Sequence, residues 1–297
     1  MIKHLITGGC SFSAGDYYSC WTSHIIKKLL YHNPNLTAKN TGYQSQGQDL
    51  IQKKVSLSVL EALEAGFKPE DILVIVMWSG TSRKAWYIDN AEIIQEITKG
   101  WRNFQGGFSN QFLDLKNQLP SNLNMFFTKN LTKFNYNPQG GWYFTVDGSD
   151  CHLSFVRDYY LLDEHTHGPG KVHTSVENMI MLQTFCKLHG VKLVHQFFMD
   201  RTLQDIVKYK DLQMIKYLYN ELDLDMAITK GMFEYLHQFL PVEADKIDNL
   251  THDERKKIDN GRTIFDPDGF HPGDEGDKLW VENMLYPFLL KRKLINE

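Results

Sequence analysis

Cysteine is scarce: Cys10, Cys20, Cys151 and Cys186 are all that 297 residues contain. No two form a CxxC pair and their spacing outlines no disulfide framework, so they read as reduced thiols of an intracellular protein. Positive charge is not in surplus either. The 32 Lys and Arg stand against 36 Asp and Glu, a formal net charge of -4, which excludes a nucleic-acid binder working through bulk electrostatics, because neutralising phosphates needs a basic excess. Long apolar runs are missing as well. The stretch Ile2 to Thr7 reaches Gly8-Gly9 too early to be the apolar region of a secretory signal, and no run approaches the roughly 20 residues of a membrane span. The expectation is a soluble, cytoplasmic protein with neither membrane nor nucleic acid among its partners. Internal repeats and low-complexity tracts are also absent.

What is present is an alternation of short apolar runs and helical periodicity. Ile2 to Thr7 reads as a first strand stopped by a Gly-Gly turn. Trp21, Ile25, Ile26, Leu29 and Leu30 recur at helical spacing, Asn40-Thr41-Gly42 ends a second short strand, and Ile51, Val55, Val59 and Leu63 mark a second helix. Ile72 to Met77 is apolar throughout and rich in Ile and Val, as suits a central strand buried on both faces of a parallel sheet. Val176, Met179, Ile180, Gln183 and Cys186 suggest another helix, Val191 to Phe198 a further core strand, and Leu279, Trp280, Met284, Leu285 and Phe288 a closing amphipathic helix. Strand and helix alternate, so the class is α/β with a mostly parallel sheet. The rhythm fails over about 84–170, rich in aromatics, Asn, Gln and Gly, and over about 200–265, helical and charged. Both spans read as insertions into one domain covering 1–297.

Two stretches carry chemistry. In Gly8-Gly9-Cys10-Ser11-Phe12-Ser13-Ala14-Gly15, a turn of small residues between strand and helix lifts a hydroxyl to the carboxyl edge of the sheet, where open α/β folds bind ligands. The helix N-terminus behind it favours the negative charge of an oxyanion. A purely structural turn with a buried serine is the alternative. The glycines do not make GxGxxG, and no Lys follows Gly15 as a phosphate-binding loop requires. No Arg follows Cys10 within the next few residues to hold a phosphate, so Cys10 reads as packing beneath the turn. The second stretch is Asp266-Pro267-Asp268-Gly269-Phe270-His271-Pro272, just before the closing helix. An Asp three residues before a His can hydrogen-bond one ring nitrogen and leave the other to take a serine proton. An Asp-capped polar loop is the alternative.

Together these motifs resemble the SGNH/GDSL hydrolases. Gly9-Cys10-Ser11-Phe12-Ser13 is similar to the family's first block, GDSxS, with Cys in place of Asp, and Asp268-Gly269-Phe270-His271-Pro272 to its last, DxxHP. Asn40-Thr41-Gly42-Tyr43-Gln44-Ser45-Gln46-Gly47 resembles the second block, which supplies an oxyanion-hole glycine: Gly47, or alternatively Gly42. Gly80-Thr81-Ser82-Arg83 stands where the family has GxND, with Ser82 for the donating Asn and Arg83 for Asp. The four occur in the family's order, which is far more specific than any one of them.

The resemblance implies a three-layer α/β/α, flavodoxin-like SGNH fold with a mostly parallel five-stranded sheet, the two insertions being additions to it. It also implies a Ser11–His271–Asp268 triad, an oxyanion hole of Ser11, Gly47 and Ser82, and hydrolysis of a small-molecule or carbohydrate ester with no cofactor and no metal. An acyltransferase using the same triad, or a non-catalytic, virion-associated binding module, are the alternatives. Large insertions and an altered third block also resemble SGNH-like proteins of bacteriophages.

Other signals have plainer readings. His165, His167 and His173 sit in or beside a polar loop, with a metal cluster as the alternative. Trp86, Tyr87, Trp101, Phe104, Phe108, Trp142, Tyr143 and Phe144 make a satellite core for the first insertion, with stacking on sugar rings as the alternative. Lys53-Lys54, Arg255-Lys256-Lys257 and Lys291-Arg292-Lys293 are solvated charge runs.

The departure at Ser82 sets a first test. Losing one oxyanion donor costs roughly 10²–10³ in rate, so Ser82→Asn is expected to raise kcat on an ester substrate with KM little changed, and Ser82→Ala to lower kcat about tenfold or more. Steady-state kinetics that leave kcat unmoved in both variants would show that Ser82 is no donor.

Overall fold

The structure is a computed structural model. It describes residues 2–14, 20–42, 46–81, 168–240, 264–266 and 271–296, and the backbone of three strands at 84–88, 127–128 and 142–146. In chain order β1 (His4–Gly8) leads through a single turn, α1 (Ser11–Ala14), into α2 (Trp21–His32) and β2 (Thr37–Asn40). Then come α3 (Gln48–Glu64), β3 (Ile72–Trp78), β4 (Lys84–Ile88), β5 (Phe127–Thr128), β6 (Trp142–Val146), α4 (Gly168–Leu188) and β7 (Lys192–Phe197). They are followed by α5 (Asp200–Tyr209), α6 (Gln213–Glu221), β8 (Ala227–Ile228), α7 (Met232–His237), α8 (Asp274–Trp280) and α9 (Tyr286–Lys291).

Five strands form one sheet in the order β2-β1-β3-β7-β8, and every neighbouring pair is parallel. Ile72–Trp78 is buried along its whole length, and alternation along it divides the core. Leu73, Ile75 and Met77 face one apolar cluster, with Trp21, Ile25, Met232, Trp280 and Leu285; Ile72, Val74, Val76 and Trp78 face the other, with Ile51, Val55, Val176, Met179, Ile206 and Ile215. Helices α2, α7, α8 and α9 therefore cover one side of the sheet and α3 to α6 the other, giving three layers. A period of two along buried strands is what places successive side chains in opposite layers.

Two features differ from the expectation. Ala227–Ile228, inside the span read as a second insertion, pairs with His195 and Gln196 as the fifth strand of the sheet. Two residues carry no periodicity, so the strand is invisible in sequence. The closing helix is interrupted by a π turn over Val281–Leu285. Pro287 follows it at the start of α9; proline removes one i→i−4 hydrogen bond and its ring crowds that carbonyl, and the widened turn absorbs the misfit, Tyr286 N–H donating to Val281 O. Over the first insertion β4, β6 and β5 make a separate three-stranded antiparallel sheet. The remaining aromatic positions Trp101, Phe104 and Phe108 lie outside the described residues, as do Cys151, His165, His167 and Arg255-Lys256-Lys257.

One polar atom of each of the two buried polar side chains of β7, His195 and Gln196, is met by an indole N–H. Trp78 Nε1 donates to His195 Nδ1 at 2.9 Å and Trp280 Nε1 donates to Gln196 Oε1 at 2.9 Å, one in each layer. Burial lowers the His195 pKa to about 4, so this imidazole is neutral at physiological pH. Cys10, Cys20 and Cys186 are buried free thiols, and burial pushes Cys186 up to about 12. No described helix is long and apolar enough to cross a membrane.

Helix α2 has no side-chain cap from its own N-cap residue, Cys20. Asp277 of α8, buried at 2% exposure, supplies it by accepting the Trp21 N–H at 2.9 Å. Burial above all, with Cys20 and the Asp266 and Asp274 carboxyls nearby, holds its carboxyl well above the usual carboxylate range. Because the folded state keeps this proton longer than the unfolded chain, stability from this group is greatest below about pH 4 and is lost as pH rises towards the folded pKa. Asp277→Asn keeps an acceptor for Trp21 and removes the titration. Its Tm is expected to fall less than the wild type's between pH 4 and 8; parallel Tm profiles would refute this.

Candidate active site

All five parallel strands end at one edge, and the loops after β1 and β3 meet where the winding reverses, α2 lying on one face of the sheet and α3 on the other. Ligands of doubly wound sheets bind at such a switch point. Ser11 sits there. β1 stops at Gly8, and Gly9 carries no Cβ, which would collide with Ser13 Oγ. Ser13 N–H closes the turn on Cys10 O at 2.9 Å. Three residues of this turn then divide their roles. Cys10 is fully buried under the turn. Ser13, also fully buried, accepts the Trp21 Nε1 hydrogen at 2.9 Å and belongs to the core. Ser11 between them remains half-buried, its hydroxyl at the sheet edge.

His271 arrives from the other end of the chain on a narrow antiparallel pairing. Phe265 bridges to Pro272, Asp266 N–H donates to His271 O at 2.8 Å, and Gly273 N–H donates to Ile264 O at 2.9 Å. This brings His271 Nε2 to 2.9 Å from Ser11 Oγ across 260 residues of sequence. In the tautomer with the proton on Nδ1, Nε2 accepts the Ser11 hydroxyl hydrogen. The His271 ring lies against Phe12, centroids 4.5 Å apart and planes 27° apart. Asp268, the residue expected to orient His271, and Ser82, expected in the oxyanion hole, lie outside the described residues, as does Arg83.

Gly47 is the N-cap of the 17-residue helix α3. Its neighbours anchor it to two of the edge loops. Gln46, fully buried, donates through Nε2 to Gly9 O at 2.7 Å and Thr41 O at 3.0 Å; Gln48 donates to Ser79 O at 2.7 Å. Gly42, the alternative to Gly47, packs so tightly on the Ser13 carbonyl that a Cβ would collide with it. Asn40 ties this corner together. Its Nδ2 donates to Ser13 O at 2.6 Å and Thr22 Oγ1 at 3.2 Å, while its Oδ1 accepts from Gly42 N at 2.9 Å and Thr7 Oγ1 at 3.1 Å.

Phe12, Asn40, Gln46 and Gln48 were not singled out from sequence. Asn40 carried a faint signal, an Asn at the end of a strand beside a glycine; the contacts of the others follow from no local pattern. His195 is ruled out as a base by its burial and its bond to Trp78. His173 pairs with Glu177 one helical turn away, at 3.4 Å, and among the described residues no three metal-ligating side chains gather. A groove of about 520 Å³ between α5 and the segment after β8, lined in part by Leu203, Val207, Lys208 and Thr229, contains none of Ser11, Gly47 or His271.

What the corner can do chemically is activate a hydroxyl beside helix N-termini, whose partial positive charge favours a developing anion. No protein-family model and no curated protein matches this chain.

Asn40→Ala would leave the Ser13 carbonyl and the Gly42 amide to water. The expected cost is about 1–2 kcal/mol, since net side-chain hydrogen bonds are worth about 1 kcal/mol each and this residue is exposed. A denaturation midpoint equal to wild type would contradict the bracing role.

Proposed function

We propose that this protein is a serine hydrolase of the SGNH/GDSL type that cleaves a carboxylic ester. The observation that carries the reading is the 2.9 Å approach of His271 Nε2 to Ser11 Oγ. Two residues far apart in sequence, the proposed nucleophile and base, meet at the switch point of a parallel sheet, each within a motif that resembles the family's. The strand order β2-β1-β3-β7-β8 supports it, being the 2-1-3-4-5 winding of flavodoxin-like folds.

In the proposed cycle His271 Nε2 takes the Ser11 proton as Oγ attacks the ester carbonyl carbon. The tetrahedral oxyanion is held by the backbone N–H groups of Ser11 and Gly47, with the Ser82 hydroxyl as third donor. Collapse breaks the bond to the alcohol, which leaves with the proton from His271. Water then attacks the acyl-serine, gives its proton to His271, and the acid departs as Ser11 recovers its hydrogen. Asp268 has the role of holding the imidazole tautomer. The cycle needs neither metal nor cofactor. Small-molecule esters and acylated carbohydrates are the proposed substrates, the second because the insertion following β3 is rich in aromatic side chains that stack on sugar rings.

The test is at Ser11. A fluorophosphonate probe is expected to label wild-type protein on Ser11 and to leave Ser11→Ala unlabelled. Turnover of a short-chain aryl ester should fall about 10⁴-fold or more in that variant, with Tm close to wild type. Unlabelled wild-type protein, or full turnover by Ser11→Ala, would mean a non-catalytic module or a different nucleophile.

A further inference from the structure

We infer that Phe12 is a positioning residue that sets the plane of the His271 imidazole, so that one turn, α1, supplies both the hydroxyl that His271 acts on and the surface that aims it. The inference rests on the hydrolase reading above. A hydrogen bond from Ser11 to Nε2 fixes one atom of the ring and leaves rotation about the line from Cβ to Nε2. The Nε2 lone pair lies in the ring plane, so that rotation decides whether the lone pair meets the serine hydrogen. Misalignment on the scale of 10–20° erodes catalysis. Phe12 supplies the missing restraint, a flat apolar face 4.5 Å from the imidazole centroid and tilted 27° from it.

The ring of Phe12 is itself held. It is buried at 4% exposure, and Phe198, the residue after β7, stacks on it at 3.3 Å and 9°. Phe198 meets Phe233 of α7 at 5.6 Å, and Phe233 N–H donates to Phe198 O at 2.9 Å. Phe233 in turn meets Phe265 edge-on at 5.5 Å. Phe265 bridges to Pro272, the residue after His271. The column thus closes on itself: from the imidazole through Phe12, Phe198 and Phe233 to the hairpin that carries the imidazole. His271 is gripped through its side chain by Phe12 and through its backbone by Phe265, and both grips share one aromatic stack.

The experiment compares Phe12→Leu, Phe12→Met, Phe12→Tyr and Phe198→Leu in the full chain. Readouts are aryl-ester kinetics, Tm and the proton NMR shifts of the His271 ring. Wild-type His271 ring protons are expected upfield through the Phe12 ring current, and to return downfield in Phe12→Leu and Phe12→Met. The same two variants are expected to lose kcat about 10- to 100-fold with KM changed less than about twofold. Phe12→Tyr, which keeps a ring, should hold kcat within about threefold and retain the upfield shifts. Phe198→Leu, which removes the ring stacked on Phe12 and leaves the Phe12 ring itself in place, should lose less kcat than either. Unchanged kcat in Phe12→Leu and Phe12→Met, or equal losses in Phe198→Leu and Phe12→Leu, overturn the positioning role alone. A wild-type protein that shows the ring-current shift yet neither turns over ester nor takes the fluorophosphonate overturns the hydrolase reading, and the positioning role with it.

Discussion

The parallel pairing of β1 with β2 on one side and β3 on the other is the constraint on which the rest depends. A strand paired in parallel on both sides sends its neighbours' carboxyl ends to its own, and the helices that return the chain must cross on opposite faces. Here α2 crosses on one face and α3 on the other. The gap this leaves at the carboxyl edge is where the Gly9 turn, the Thr41-Gly42 segment, the N-terminus of α3 and Ser79 converge. Ser11 stands at that edge because β1 stops at Gly8, opposite Val76, two residues before β3 ends.

Convergence alone would leave three loops loosely apposed. They are joined by side-chain amides that act as cross-braces: Asn40 between the ends of β1 and β2 and the α1 turn, Gln46 from the α3 entry to Gly9, and Gln48 from α3 to Ser79. Each donates to a backbone carbonyl that has no strand partner at the edge of a sheet, where a buried polar group left unpaired is costly. The same logic operates below the edge, where the Trp78 and Trp280 indoles meet His195 and Gln196, and at α2, whose first turn is capped by Asp277 from the far end of the chain. His271 and Asp277 lie on the same C-terminal segment. Docking α8 against α2 and bringing the imidazole to Ser11 are therefore two results of one packing event.

Strands β1, β3 and β7 and helices α2, α3 and α4 were legible because each buries a face long enough to impose a period on the sequence: Ile51, Val55 and Val59 along α3, or the uninterrupted Ile72–Met77 along β3. β8 was not legible, because its two residues are placed by pairing with β7 and by nothing in their own order. The π turn was hidden for a related reason. Pro287 announces a disturbance, and whether a helix kinks, stops or widens around a proline depends on what its far side must reach, here Leu285 and Leu289 in the core.

At the site the division is the same. Residue types and local turns were set by sequence alone: a serine after a Gly-Gly turn, a histidine ahead of the final helix, a glycine opening α3, each within a short motif that resembles a known order of blocks. Their meeting was decided only in three dimensions. No local pattern states that residues 260 apart will lie 2.9 Å apart, that Phe12 will turn its ring to His271, or that Ser13 will turn inward to Trp21 while Ser11 stays at the edge. Those outcomes depend on which faces of β1, α2 and α8 pack together, and packing is a property of the whole core. Chemistry can be written in a few residues, whereas geometry needs every element that holds them.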